Sequence, residues 1–422
     1  MPCEGRVLDA RVHFCERELD PPLRISTGLI TAATEATAEV TVRVRDREAT
    51  GRGAMYLSDT WAWPDRTLSH EQRDAAMRGL CEEIAVGLPA LCGDEAAHPL
   101  ELGMRLHHAV CDTPDDPPAL ARANCASPFD AAIHDAVGIA LARPALALYD
   151  EPFATPTADA LFPGASARDA IVRLLRQPVH AFDAWLIAGA KGNLAQALAP
   201  WVRDRGYHAF KVKILAADNG EDAALTAEVY RTAIALGARA PRLCADSNCA
   251  NADADSVLDY LERLRALDPE AFGALEYVEQ PTGRDITVHA FDWRPVTRVK
   301  PVFLDEGLTG VESFEVAADQ GWSGFALKTC KGHSFALVAA AWAHENGLQL
   351  TLQDLTNPGL AAIHAALFAS RVPTVNGVEL NSPQFTPAAN AEWLPRLAPL
   401  LDPRDGTHRL PEQDPIGLGS TL

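Results

Sequence analysis

The sequence is short of positive charge. It carries 37 Lys and Arg against 57 Asp and Glu, a formal net charge of −20 over 422 residues. Phosphate backbones are held by basic patches, so no nucleic-acid partner is expected. The nine cysteines include no C-x-x-C pair and are odd in number. Reduced, buried thiols of a cytoplasmic protein are therefore expected rather than a disulfide framework. No apolar run approaches the ~20 residues of a membrane span. The opening MPCEGRVLDARVHF lacks the basic-then-apolar pattern of a signal peptide. No membrane partner and a cytoplasmic location follow as expectations. There is no G-x-x-x-x-G-K-[ST] loop and no Gly-rich loop after the first strand of the second half. That weakens a nucleotide-binding open sheet.

What remains is ordinary for a globular enzyme: 48% hydrophobic and 22% charged residues. The length suggests about two domains. Residues 1–150 read as strands followed by helices, an α+β domain. RVLDARVHF suggests a strand, and ATAEVTVRVRD with ATGRGAMYL suggests a hairpin. Residues 70–92 and 129–143 have helical periodicity. Residues 151–178, rich in Pro, Ala and Asp, read as a linker or insertion with one short helix. From 179 to 382 strands and helices alternate. Candidate strands are 179–187, 208–214, 241–246, 274–279, 301–305, 323–328, 348–353 and 374–380. Eight strands with helical crossovers predict an α/β fold, a parallel β/α barrel, with an open doubly wound sheet as the alternative. The irregular segment 383–422 is expected to pack back on the first domain.

The strands end in charge. HAFKVKI carries Lys211 and Lys213, RLCAD ends at Asp246, LEYVE at Glu279, VFLD at Asp305 and GFALK at Lys328. Successive gaps from Lys213 are 33, 33, 26 and 23 residues, about one strand–helix unit each. In a β/α barrel the active site lies at the C-terminal strand ends. Neighbouring strands are ~4.8 Å apart, so three acids from consecutive strands can converge on one ion. Carboxylate oxygens suit Mg²⁺, with Mn²⁺ also possible. Taken singly, each acid could instead cap a helix or pair with a surface lysine. Lys211 and Lys213 share one face of their strand, with Ala209, while Phe210 and Val212 face the helices. Lys328 lies across the barrel, so a base on each side of a substrate becomes possible. To act near neutrality a lysine must fall below its usual pKa, which burial and nearby cations favour. Lys331 reads as a loop or helix-start lysine outside the chemistry. Such a set suits removal of the proton α to a carboxylate and stabilisation of the resulting enolate.

These motifs resemble the enolase superfamily, in particular its muconate lactonizing enzyme-like branch. Lys211-Val212-Lys213 is similar to the family's K-x-K, and Asp246-Ser247-Asn248 to its D-x-N. Glu279-Gln280-Pro281, Asp305-Glu306 and Ala326-Leu327-Lys328 resemble its next three strand ends. FDAAIHDAVGIALARPAL is similar to the helix leading into the barrel, and the final GLG to the family's ending. The resemblance implies a (β/α)7β modified TIM barrel with an N-terminal α+β capping domain. It implies Mg²⁺ on Asp246, Glu279 and Asp305, with Lys213 and Lys328 as the acid/base pair. Lys211 would bind the carboxylate of a small-molecule substrate, and Asn248, Glu306, Glu379 and Asn381 would stand around it. Loops of the capping domain would read the rest. There Arg24 could meet a distal carboxylate or be an ordinary surface arginine, and Trp61 and Trp63 could wall the pocket or pack on the rim. A homo-oligomer is expected.

The chain departs from the family pattern in places. The loop after Lys328 reads KTCKGHS, and the eighth strand offers Glu379-Leu380-Asn381 where dipeptide epimerases carry D-x-D. The seventh strand, LQLTLQDLTNPG, ends without the histidine of the mandelate racemase branch, which disfavours a sugar-acid dehydratase. Racemisation or epimerisation ranks slightly ahead of cycloisomerisation and syn-elimination. A Schiff-base lyase using Lys213 or Lys328, and a non-catalytic metal- or ligand-binding barrel, are the other readings.

Overall fold

The computed structural model describes residues 3–113, 116–189 and 192–422. It opens with an antiparallel sheet of β1 (Arg6–Ile25), β2 (Gly28–Val44) and β3 (Arg47–Leu57). Alternation drives this sheet: Ala36, Ala38, Val40, Val42 and Val44 of β2 are buried on one face. Strand β1 runs well past the predicted RVLDARVHF. A register shift between Glu18 and Leu23 lets it bend and continue to Ile25.

The helix His70–Cys92 matches its predicted span and starts on a capping box of Ser69 and Gln72. The helix predicted at 129–143 instead runs Ala119–Leu141. Its added first turns are small residues buried on nearly every side, so no amphipathic stripe marks them, and Pro128 looks like a boundary. It packs on β3, where Gly53 faces it: a Cβ there would lie 2.1 Å from Pro128 O. The helix Pro99–Cys111 was not anticipated, although Pro99 at its start and Glu101 in its first turn are start signals.

Residues 151–178 are not a free linker. Their helix Ala167–Leu174 lies against the later helix His333–Glu345, and Arg173 pairs with Glu345. The following backbone bonds Arg176 N to Arg371 O and Val179 N to Ser370 O.

A short β4 (Ala181–Asp183) then pairs with β12 (Thr407–Arg409) near the chain's end. Between them stands a curled, parallel, seven-stranded sheet: β5 (Trp185–Gly189), β6 (Ala209–Lys213), β7 (Arg242–Asp246), β8 (Leu275–Glu279), β9 (Val302–Leu304), β10 (Gly324–Lys328) and β11 (Gln349–Gln353). The strands are neighbours in strict chain order, without the reversal that a doubly wound sheet requires. The fold is α/β and barrel-like.

The eighth predicted strand, 374–380, is present only as a bridge between Gln353 and Glu379. Its backbone donates to β11 from Val375 N to Leu350 O and from Glu379 N to Leu352 O, and two side chains supply further bonds. Asn376 exchanges hydrogen bonds with the backbone N–H and C=O of Leu352, and its own carbonyl accepts from Trp185 Nε1 at 3.0 Å. Asn381 Nδ2 donates to Trp185 O at 3.0 Å. The segment therefore spans from β11 to β5.

Inside the curl, Trp185, Ala209, Cys244, Tyr277, Phe303 and Ala326 form a buried layer. The next inward position on each strand carries the site. The antiparallel sheet touches the strand ends above it, with Ser26 Oγ donating to Asn248 O at 2.7 Å. The tail returns to the helix Ala119–Leu141, where Asp135 accepts from the amides of Arg52 and Leu418. Cys15, Cys81, Cys92, Cys111, Cys125, Cys244, Cys249 and Cys330 are free thiols, six of them buried. Among the described residues no helix is long and apolar enough to cross a membrane.

Candidate active site

Strand register places the charges side by side. Lys213 lies opposite Asp246, and Asp246 opposite Glu279. Glu279 pairs with Phe303, two residues before Asp305. Asp246, Glu279 and Asp305 are fully buried, as are Lys211, Lys328 and Lys331. Such groups are tolerated only when paired.

The pairing is a chain of alternating charge. Lys211 Nζ lies 3.2 Å from Asp246 Oδ2 and 3.0 Å from Glu279 Oε1, and also donates to Glu379 at 3.3 Å. Lys213 Nζ donates to Asp246 Oδ2 at 2.5 Å and to Asn248 Oδ1 at 3.0 Å. Lys328 Nζ is 2.9 Å from Asp305 Oδ2 and 3.8 Å from Glu279 Oε1. Asn248 holds the turn after β7: its N–H donates to Asp246 Oδ1, and Nδ2 reaches Glu306 Oε1 at 3.0 Å. Glu306 Oε1 also accepts from Trp61 Nε1 at 3.0 Å, and the Trp61 ring faces the Lys328 ammonium at 5.5 Å.

The structure departs from the sequence reading at Lys331, and at Arg24 and Trp63 it bears on alternatives that the sequence left open. Lys331 is not a peripheral lysine. It is 1% exposed and donates to both the carbonyl and the carboxylate of Asp305, at 2.6 and 3.0 Å. Arg24 is exposed, because alternation along β1 turns it away from Leu23 and Ile25. It lines an outer cavity beside Leu29 and Lys213 rather than the inner one. Trp63 is buried but does not line the inner cavity, whereas Trp61 does. Asn381 lines that cavity while bonded to Trp185 O.

One site residue escaped the sequence reading. Gln353, at the end of β11, accepts from Lys328 Nζ and donates to Glu279 Oε2. It occupies a strand end like the others, but it is uncharged, so a search for charge passes over it.

With no metal ion beside them, the lysines are governed by the neighbouring acids. Burial presses Lys328 downward, but Asp305 and Glu279 more than reverse this and hold it above its usual value. Lys211 is likewise held high, burial being outweighed by Glu279, Glu379 and Asp246. Burial raises Asp305, but Lys328 and Lys331 pull it well below the usual carboxylate range. Burial pushes Glu279 up to about 8, and Asp246 and Asp305 add to that against the pull of Lys211 and Lys328.

A match to known families decides what this cluster belongs to. Residues 193–422, more than half the chain, match the family described as enolase C-terminal domain-like. The chain belongs to the enolase superfamily, in its mandelate racemase/muconate lactonizing enzyme branch. Solved enolase-superfamily structures share its fold over nearly the whole length. A Bradyrhizobium enolase complexed with magnesium and mandelic acid is 17% identical, with TM-score 0.65, covering 99% of this chain and 95% of its own. The Bacillus cereus N-succinyl Arg/Lys racemase is 16% identical, with TM-score 0.67, at 98% and 95%. The Pseudomonas fluorescens muconate lactonizing enzyme, complexed with muconolactone, is 18% identical, with TM-score 0.66, at 98% and 96%. No curated protein sequence matches the chain.

The branch raises the question of a metal. Among the described residues no three His, Cys, Asp or Glu side chains stand grouped to hold an ion, because lysine ammonium groups lie between the acids. The donor set nonetheless fits a hard dication. It offers three buried carboxylates, one of them, Glu279, pushed toward protonation by burial and by the neighbouring acids. Asp305 Oδ2 accepts no well-aligned hydrogen bond, although Lys328 is near.

Proposed function

We propose that this enzyme removes the proton α to a substrate carboxylate through an enolate, using Lys213 and Lys328 as opposed acid and base. One observation carries the reading: both lysines line a single cavity with Lys211, Asp246 and Asp305 at its floor. Lys213 belongs to the second strand of the curl and Lys328 to the sixth, so they approach from different sides. In the finer fold reading, the curl is a (β/α)7β barrel. The antiparallel sheet and its helices are the capping domain, completed by the tail.

Asp246, Glu279 and Asp305 would hold Mg²⁺. Bound there, it supplies positive charge to the carboxylate oxygens as electron density moves onto them. Lys328 can give up its proton only once Asp305 and Glu279 are compensated by another cation, which lets burial lower its pKa. The neutral amine then takes the α-proton. Lys213, kept in place by Asp246 and Asn248, delivers a proton to the opposite face. Lys211 pairs with the substrate carboxylate, while Gln353 and Lys331 orient Lys328 and Asp305. Two-sided proton transfer of this kind supports racemisation or epimerisation ahead of cycloisomerisation or elimination.

Incubation of α-substituted carboxylates in D₂O with Mg²⁺ tests the reading. Wild type should wash deuterium into the α-carbon. Lys213→Ala and Lys328→Ala should each abolish exchange from one face, and undiminished exchange in both would refute the assignment. Asp246→Asn and Glu279→Gln should weaken Mg²⁺ binding by calorimetry; unchanged affinity would remove them from the ligand set.

A further inference from the structure

The inner cavity has two unlike halves. Every charged side chain that lines it sits at the floor: Lys211, Lys213, Lys328, Asp246, Asp305 and Glu379. These are three cations and three anions, and they pair among themselves. Glu379 faces Lys211, and Asn381 is tied to Trp185 O. The opposite half is mostly hydrocarbon and carries no charge, its polar groups being hydroxyls of Tyr56, Ser58 and Thr356. Leu19, Leu23 and Ile25 of β1, Ile30 and Ala33 of β2, and Leu355 close it, and all but Leu355 are less than 9% exposed. The Trp61 ring forms a wall beside Lys328. Arg24, the nearest cation on the antiparallel sheet, lies on the outer face of β1.

A charged group placed under this ceiling would lose its hydration and find no partner. We infer that the substrate carries a single carboxylate on an uncharged, hydrocarbon-rich body. The reacting carbon lies at the floor and the body lies against Leu19, Leu23 and Ile25. This rests on the proposed α-proton chemistry for its orientation. It selects against a second carboxylate, a free ammonium and a polyhydroxylated chain. Specificity then comes from a desolvation penalty rather than from a matched polar contact.

Four probes test it in the presence of Mg²⁺: 2-phenylpropionate, 2-phenylsuccinate, phenylglycine and gluconate. Affinity is read by calorimetry and α-proton exchange by NMR in D₂O. 2-Phenylpropionate should bind about tenfold or more tighter than each of the others. Ile25→Asp, with folding checked by circular dichroism, should weaken 2-phenylpropionate and narrow its lead over phenylglycine. Arg24→Gln should leave the order unchanged. Equal or tighter binding of 2-phenylsuccinate, lost in Arg24→Gln, would overturn the inference and assign Arg24 a substrate carboxylate. Exchange confined to phenylglycine or gluconate would overturn it too while leaving the reaction intact. The expected binding order without exchange in any probe would refute the reaction and keep the pocket assignment.

Discussion

Lowering the pH from 7 to 5.5 should destabilise this protein steeply, through histidines rather than carboxylates. Six are buried and uncharged: His98, His107, His134, His333, His364 and His408. Burial pushes His98 and His364 down to about 3, and His107 and His408 to about 4. Burial takes His134, with His98 and His364 adding to it, and His333, with His134 and His364 adding to it, well below the usual value. A group whose folded pKa is depressed adds stability above its unfolded pKa, here 6.5, and that stability is lost as the pH falls. Between pH 7 and 5.5 each such histidine forfeits about 1.2 kcal/mol, or about 7 kcal/mol for six. Buried acids oppose this. Asp130, raised to about 6, and Glu279, raised to about 8, take up protons in the folded state over the same range. Together they return about 3 kcal/mol. Asp354, held well above the usual carboxylate range by burial, opposes it further, so the net loss is at most about 4 kcal/mol, still a large part of a typical ~5–15 kcal/mol stability. Urea unfolding with chelator present, at half-unit steps from pH 7.5 to 5, measures it. The slope should report net uptake of several protons on unfolding. His408→Asn and His364→Asn should each reduce that uptake by about one. A midpoint that does not move between pH 7 and 5.5, or a slope untouched by both substitutions, would refute the account.

Other substitutions follow from the same structure. Lys211→Met strands Asp246, Glu279 and Glu379 without their shared cation; metal-free stability should fall by about 3–5 kcal/mol in urea titration. Asp135→Ala orphans the amides of Arg52 and Leu418 and the hydroxyl of Ser420. It should cost about 2–5 kcal/mol and expose the tail to limited proteolysis, read by mass spectrometry. Gly53→Ala drives a methyl to 2.1 Å from Pro128 O and 2.9 Å from Ala131 Cβ; thermal melts should show a loss of at least ~2 kcal/mol.

The charges of the site were legible in the sequence because a parallel strand buries its length and frees its last residue. Lys213, Asp246, Glu279 and Lys328 each stand at that junction, and the hydrophobic run before each residue marks where it falls. Partnership is not local, and so it was not legible. Lys331 is three residues past a strand end and looks like a helix-start lysine until Asp305 arrives from the neighbouring strand. Gln353 differs from an ordinary strand glutamine only because Glu279 and Lys328 lie within its reach. The eighth strand failed as a prediction for a related reason. Only Val375 and Glu379 donate backbone bonds to β11, and the Asn376 side chain supplies bonds between them that a regular strand would make with its backbone.

The ceiling of the cavity was hardest to read, and its logic is opposite to that of the floor. At the floor each residue is informative alone, since a buried charge demands a partner. At the ceiling no residue is informative alone, since Leu19, Leu23 and Ile25 look like any core face of a strand. In the proposed pocket they act as a specificity surface because β1 continues past its register shift, so that its end reaches strand ends from another part of the chain. Divergence can therefore act on the two halves separately. Exchanging one apolar residue at Leu23 or Ile25 would retune the substrate body at a modest stability cost. Exchanging Lys211 or Glu279 would unbalance a closed set of charges and disturb the whole floor. The proton chemistry is locked by mutual electrostatic dependence, and the substrate is not.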